Sequence, residues 1–251
     1  LDRAYDESGK DLGYYPPTPV RLEVYPQTSV LARVSLLTEE EIRTSGTIAL
    51  CKYNRLMITS PRALLRGYSW VDTVVHEYVH FVVNAKSQHR VPIWMHEGLA
   101  KFLERRWRGP HAEKLPPTAE NLLKERVKTG NLITFEQMHP SMAKLPSQED
   151  AAVAFADVYT VMEYLKLKVG EDAFKNLLDA VNSGLDARQA FAKTIGKPFS
   201  TFEKEWMAYL KTRKMADIPD ENGYEEKLVF KDQENAESEV KDIEKPRAQQ
   251  Y

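Results

Sequence analysis

Two short stretches of this chain place histidine and glutamate side chains inside apolar runs. They read "TVVHEYVHFVVN" at residues 73 to 84 and "VPIWMHEGLAKFLE" at residues 91 to 104. On a helix, His76 and His80 lie one turn apart on the same face, so both imidazoles can approach one ion. Glu77 lies about 100° around the helix from His76, where it can reach a water molecule beside the ion. This H-E-x-x-H spacing is typical of zinc sites in which the glutamate acts as a general base.

A catalytic zinc also needs a third protein ligand, and Glu97 in the second stretch is the candidate. The small residues Gly98 and Ala100 follow it, and we expect them to let the second helix approach the first closely. The alternative is an ordinary helix that carries two histidines. The valines around His76 and His80 favour the ion, because burying such groups without partners costs on the order of 2 kcal/mol or more each.

Periodicity predicts the elements that must position these residues. Alternation at residues 20 to 25 predicts a strand, and "GTIALCKYNRLMITSP" predicts a hairpin with strands at 48 to 52 and 56 to 59. From Ser69 the pattern becomes helical, and Ser69 and Asp72 are spaced like a capping box. A second helix is predicted after Pro92, over about 96 to 107.

The rest of the chain is predicted to be mostly helical. The predicted segments are 119 to 128, 148 to 169, 171 to 182, 185 to 195 and a helix around Trp206. Residues 129 to 146 lack a clear period and indicate a long ordered loop. Residues 217 to 251 hold 11 acidic and 5 basic residues, which is typical of an acidic linker or tail. A strand-rich part followed by a helical part predicts an α+β fold.

Composition narrows the classes of function. The net charge is −2, and Lys and Arg do not cluster with aromatic residues as nucleic-acid binding would need. No apolar run approaches the roughly 20 residues of a membrane span, so we expect a soluble domain. The chain starts with Leu1, so we expect it to come from a longer protein. The compartment stays open, with an extracytoplasmic location after removal of a signal segment among the expectations.

The two stretches together resemble the gluzincin metallopeptidases, specifically the bacterial peptidase MA-like domains. Their pattern is H-E-x-x-H followed by P-x-W-x-x-E-G-x-A, which Pro92, Trp94, Glu97, Gly98 and Ala100 match. The resemblance extends over residues 11 to 213 and implies a thermolysin-like catalytic domain. We place that domain at 14 to 216, with residues 1 to 13 as a helical stub. It also implies neighbouring helical repeats in the parent protein.

The resemblance implies roles for individual residues as well. His76, His80 and Glu97 would bind Zn²⁺, and Glu77 would be the base in peptide-bond hydrolysis. A peptide or protein substrate would lie along a sheet edge in "TIALCKY" or "RLMITSP". Tyr159 is the candidate donor to the developing oxyanion, with a packed core tyrosine as the alternative.

Support for the predicted ligands is harder to assign. Where thermolysin-like enzymes place an acid four residues past the third ligand, this chain has Lys101. Asp72 is therefore the nearest acidic candidate to hold one of the histidines. We expect His96 to face elsewhere and residues 104 to 109 to form a solvated helix end.

Three classes of function remain open. The leading hypothesis is a zinc peptidase, which the retention of Glu77 favours. The alternative is a catalytically inactive zinc-binding, peptide-binding or assembly module that retains the fold. A third hypothesis is a repeat-associated scaffold, which a cleft blocked by the loop at 129 to 146 would favour.

Overall fold

A small sheet and a larger set of helices make up the described part of the chain. The computed structural model describes residues 1–17, 19–109 and 114–215, so the predicted acidic tail lies outside it. The strands are β1 (Arg21–Tyr25), β2 (Ala49–Lys52) and β3 (Arg55–Thr59). The α-helices are α1 (Asp2–Leu12), α2 (Thr28–Val34), α3 (Glu39–Ser45), α4 (Trp70–Ser87), α5 (Ile93–Leu103), α6 (Pro117–Thr129), α7 (Gln148–Val169), α8 (Ala173–Asn182), α9 (Ala187–Ile195) and α10 (Phe199–Thr212). This arrangement confirms the α+β prediction.

The sheet has the strand order β1-β3-β2. Strands β2 and β3 form the predicted antiparallel hairpin, with Cys51 opposite Leu56. Tyr53 and Asn54 connect them with φ values of 53° and 58°, the left-handed backbone that a two-residue type I′ hairpin turn requires. Strand β1 pairs with β3 in parallel, which alternation alone did not predict. Because β3 is central, β2 keeps one edge that no strand of this sheet covers.

Helix α4 begins at Trp70, directly after Ser69, as the sequence predicts. The predicted capping box differs in detail, because the Ser69 hydroxyl donates to the Asp72 carboxylate at 2.9 Å and makes no bond to the helix backbone. Helix α5 starts at Ile93, three residues earlier than predicted, with Pro92 preceding it. Proline suits a helix start because its missing N–H would have no partner there anyway.

Helix α1 packs against the body of the domain. The Lys86 ammonium on α4 donates to the Leu12 carbonyl at 2.7 Å and pairs with Asp179 on α8 at 2.6 Å. Asp11 accepts from Arg106, after α5, at 3.0 Å. The separation of residues 1 to 13 as a stub stays a prediction. In the structure, buried polar contacts tie this helix to α4, α8 and the segment after α5.

Gly98 lets α5 approach α7, whereas the sequence suggested an approach to α4. A Cβ atom built on Gly98 would lie 2.9 Å from the Val158 carbonyl oxygen and 2.9 Å from the Met162 Cε atom, both on α7. Real Cβ contacts are practically never that short. A side chain at Gly98 would therefore have to push the two helices apart.

Replacing Gly98 with Ala should destabilise the protein. We expect a loss of about 1–3 kcal/mol, since the added methyl group meets backbone that cannot rotate away. At roughly 2–4 °C of Tm per kcal/mol for a domain of this size, thermal unfolding would detect it. Gly9→Ala is the control, because there the atoms nearest the new Cβ belong to the side chain of Tyr15, which is 47% exposed, and not to backbone. Equal Tm values for Gly98→Ala and the parent would contradict this account.

The loop at residues 129 to 146 packs onto the helical part. Phe135 stacks on Trp94 with ring centroids 4.3 Å apart, and the Ile133 N–H donates to the buried Asp157 carboxylate at 3.1 Å. Met138 and Met142 are buried in the large core cluster. The loop thus continues the core, and a 3-10 turn at Met142–Lys144 lies close to α3. Of the helices in the described part of the chain, none has both the length and the apolarity that a membrane crossing needs.

Candidate metal centre

Helix α4 places His76 and His80 side by side. Their Nε2 atoms are 3.1 Å apart, and their ring centroids are 4.7 Å apart in an edge-to-face arrangement. Both side chains are largely buried, at 13% and 11% exposure. The one-turn spacing read from the sequence therefore brings two imidazole nitrogens to one point.

Helix α5 brings Glu97 to the same point. Its Oε2 atom lies 3.2 Å from the Nε2 atom of His76 and 3.2 Å from the Nε2 atom of His80. The three atoms form a nearly equilateral triangle. In a regular tetrahedron, zinc–ligand distances of about 2.0–2.1 Å place the ligand atoms roughly 3.3 Å apart. The triangle fits a divalent ion bound by these residues.

Glu104, which the sequence did not suggest, holds His76 from the other side. The Nδ1 atom of His76 lies 3.0 Å from the Glu104 Oε2 atom, and the Lys101 ammonium donates to the Glu104 Oε1 atom at 2.8 Å. When Nδ1–H donates to this carboxylate, the proton-free Nε2 atom faces Glu97 and His80. Lys101 therefore acts through Glu104, which itself lies at the end of α5 and is buried.

Asp72, the residue proposed from sequence for this support, lies elsewhere. Its carboxylate accepts from Arg108 at 2.8 Å and from the indole of Trp107 at 2.9 Å. The segment after α5 was predicted to be solvated, and Arg108 is indeed exposed, but Arg108 and Trp107 both contact the buried Asp72 carboxylate. Asp72 therefore anchors residues 106–108 to the first turn of α4, and it is Glu104 that contacts a histidine of the triangle.

His96 supports His80, contrary to the expectation that it faces elsewhere. Its Nδ1 atom lies 2.6 Å from the His80 Nδ1 atom, and its Nε2 atom lies 2.8 Å from the Asn84 side-chain oxygen. Asn84 accepts when His96 carries its proton on Nε2, which leaves His96 Nδ1 to accept from His80 Nδ1–H. This order again leaves the inward Nε2 atom of His80 free of a proton.

The electrostatics of the pocket favour a bound cation. Burial lowers the pKa of His76, but the carboxylates of Glu104 and Glu97 outweigh this effect and raise it to about 10. Burial opposes ionisation of Glu97 too, yet His80 and His76 hold its pKa well below its usual range. By contrast, burial and the neighbouring His80 lower the pKa of His96 to about 3, so His96 stays neutral. Positive charge is thus stabilised where the triangle lies.

Glu77 lies beside the triangle and is 5% exposed. Ligand atoms of His76, Glu77 and His80 lie within 4.8 Å of one another, so both Glu77 and Glu97 are near enough to be considered as the third ligand. Glu97 fits better, because its Oε2 atom lies 3.2 Å from both nitrogens. Within the described part of the chain, the Glu77 Oε2 atom has no hydrogen-bond partner. Burial raises the pKa of Glu77, which the nearby His80 and His76 counteract.

Tyr159 lies in the hydrophobic core. The residue is 2% exposed, and its ring stacks on Phe102 with centroids 5.2 Å apart. On the same helix, one turn earlier, the ring of Phe155 lies 6.0 Å from the ring of His76. This placement resembles the packed core tyrosine that the sequence left as the alternative, and the oxyanion role of Tyr159 stays a prediction.

A comparison with protein families identifies the superfamily of the chain. Residues 4–212 match the peptidase MA superfamily. The match covers most of the chain, including both helices that carry the triangle, so the chain belongs to that superfamily. Comparison with curated proteins and comparison with solved structures each gave no match.

Proposed function

We propose that this protein is a zinc-dependent peptidase in which His76, His80 and Glu97 bind the ion and Glu77 is the general base. One observation carries the proposal. Three inward-facing ligand atoms lie 3.1–3.2 Å apart, and a buried carboxylate oxygen with no described partner lies beside them. A site that served only to stabilise the fold would have no need of this additional carboxylate.

The donor set indicates zinc. Two imidazoles and one carboxylate are the protein ligands of one common class of catalytic zinc site. When bound, zinc acts as a Lewis acid that polarises a substrate carbonyl and makes water more acidic. In support, the outward nitrogens of both histidines have partners, Glu104 and His96, that fix the rings for binding.

Glu77 would handle the protons of hydrolysis. Its carboxylate takes a proton from the attacking water as the oxygen adds to the peptide carbonyl, and then gives this proton to the departing amine as the C–N bond breaks. The products are a carboxylic acid and an amine, so one water is consumed for each bond. Burial raises the pKa of Glu77, and this brings its affinity for the proton closer to that needed at neutral pH.

The free edge of β2 is the proposed place for a substrate peptide. Of the two stretches considered from sequence, "RLMITSP" contains β3, which is central, whereas "TIALCKY" contains β2. Strand β2 packs against α4, and the Cys51 backbone lies near the Glu77 carboxylate, so this strand borders the proposed base. An extended peptide paired with β2 would carry its carbonyl groups past Glu77.

The alternative is a catalytically inactive module that retains the fold and the metal. The burial of Tyr159 in the core favours it, because the oxyanion donor proposed from sequence does not face solvent. Against it stands Glu77, whose buried carboxylate is unnecessary for metal binding.

Metal analysis combined with a peptide-library assay tests the proposal. Purified protein should hold one zinc per chain and should cleave peptides, with both properties lost on removal of the metal and restored by added zinc. Zinc without cleavage of any library member would support the inactive module. Folded protein that binds no zinc would overturn both.

A further inference from the structure

Strand β2 and helix α7 both border the metal centre. On one side lies β2, which packs against α4 with the Cys51 backbone near the Glu77 carboxylate. On the other side lies α7, whose Phe155 ring is 6.0 Å from the ring of His76. A peptide lying on the edge of β2 therefore runs between β2 and α7.

Near its start, helix α7 contacts α3 and the residue after it, which precede β2 in the chain. The Gln148 side chain at the first turn of α7 donates to the Arg43 carbonyl on α3 at 3.1 Å. A Cβ atom built on Gly46, the residue after α3, would lie 3.2 Å from the Gln148 side chain. Lys144, just before α7, also pairs with Glu41 on α3 at 3.6 Å. We call this set of contacts the α3–α7 bridge.

Chain geometry gives the distance from the metal centre to the bridge. Gln148 precedes Phe155 by two helical turns, which places it about 10 Å further along α7. Gly46 precedes Cys51 by five residues, which span at most about 16 Å of extended chain. The space between β2 and α7 therefore closes about 10–16 Å from the reacting centre. At about 3.3 Å per residue, this length holds three to five residues of an extended peptide.

We infer that the bridge makes this protein a peptidase that releases short segments from the carboxyl end of its substrates. The inference rests on the proposed function. Antiparallel pairing is the more stable arrangement for a peptide on the edge of β2. In that orientation the residues after the scissile bond run towards the start of β2 and so towards the bridge. Residues before the scissile bond run the other way, past Lys52.

A nested set of peptides tests the inference. All members share the residues around the cleaved bond. One series is extended from two to ten residues on the carboxyl side, and the other is extended equally on the amino side. We expect kcat/KM to fall at least tenfold once the carboxyl side exceeds about five residues, and to change less than threefold in the amino-side series. Equal rates throughout the carboxyl-side series would overturn the inference while leaving the peptidase proposal intact. A fall confined to the amino-side series would also overturn it.

Binding gives a second readout that does not depend on turnover. Peptides labelled with a fluorophore at the amino end are titrated into the Glu77→Gln protein, and Kd is read from fluorescence anisotropy. Members with long carboxyl-side extensions should bind at least tenfold more weakly than members with three residues there. Equal Kd values would overturn the inference even if no peptide in the set were cleaved.

Variants of the bridge connect the effect to its cause. The double variant Lys144→Ala, Gln148→Ala removes the ion pair with Glu41 and the hydrogen bond to the Arg43 carbonyl. It should raise the ratio of long-peptide to short-peptide kcat/KM several-fold. Lys175→Ala is the control, because it removes an exposed ion pair with Asp179 on α8 and should leave the ratio at the parent value. The same ratio in the double variant and the parent would contradict a closing role for the bridge.

Discussion

Replacing Glu77 with Gln should lower kcat/KM for peptide cleavage by about 10²–10⁴-fold, the usual contribution of a general acid–base group. The amide has nearly the same shape as the carboxylate but cannot accept the proton of the attacking water. Because the ligand assignment gives Glu77 no bond to the ion, the variant should still hold one zinc per chain. Cleavage rate and zinc content, measured on the same preparation, separate the two roles.

The matched control for Glu77→Gln is the same substitution on the surface. Glu136 is exposed and pairs weakly with Arg188 at 3.4 Å, so Glu136→Gln should leave both cleavage and zinc content at parent values. Cleavage by Glu77→Gln within tenfold of the parent would mean that another group moves the proton. Loss of zinc from that variant would instead make Glu77 a ligand.

Local patterns were sufficient to predict the hairpin, α4 and α7. Ser147 caps α7 by accepting from the Asp150 N–H at 3.0 Å, and the helix spans the predicted range and ends before Gly170. Helices α2 and α3 were not predicted, although the capping box of Thr38 and Glu41 is visible in the sequence. Both helices are only seven residues long, so their hydrophobic period is too short to read.

The surroundings of the site were predicted less well than the triangle itself. His76, His80 and Glu97 follow from spacing on two helices, whereas the Glu104 contact depends on how these helices cross. One signal was present, because Glu104 lies seven residues after Glu97 and two helical turns return it to nearly the same face. His96 had no such signal. It lies next to Glu97, and only the packing of α5 against α4 directs its ring to His80.

The same dependence on packing explains the error about Gly98. Small residues indicate that a helix approaches something closely, but they do not identify the neighbour. Here α7, which lies more than fifty residues further along the chain, is the neighbour. Helix α5 is therefore held between α4 and α7, and its position fixes Glu97, His96 and Glu104 together.

Replacing Glu104 with Gln should weaken zinc binding by about 10- to 100-fold, the usual effect of removing a partner that orients a metal ligand. The amide keeps the size of the side chain, but it no longer offers His76 a charged acceptor and no longer pairs with Lys101. The imidazole then loses the charge-assisted bond that most strongly keeps its proton on Nδ1. Competition with a chelator of known affinity measures the change without any need for activity.

Asp72→Asn is the matched control, because it also neutralises a buried carboxylate and lies on the same helix as His76. Its partners are Arg108 and Trp107, so we expect a lower Tm with zinc affinity within about threefold of the parent. The two variants thus separate support of the ligand from support of the fold. Equal losses of zinc affinity in both would mean that general loosening of α4 causes the effect, and Glu104 would then have no specific role. A loss confined to Glu104→Gln is expected, because among the carboxylates of Asp72 and Glu104 only the latter contacts a histidine of the triangle.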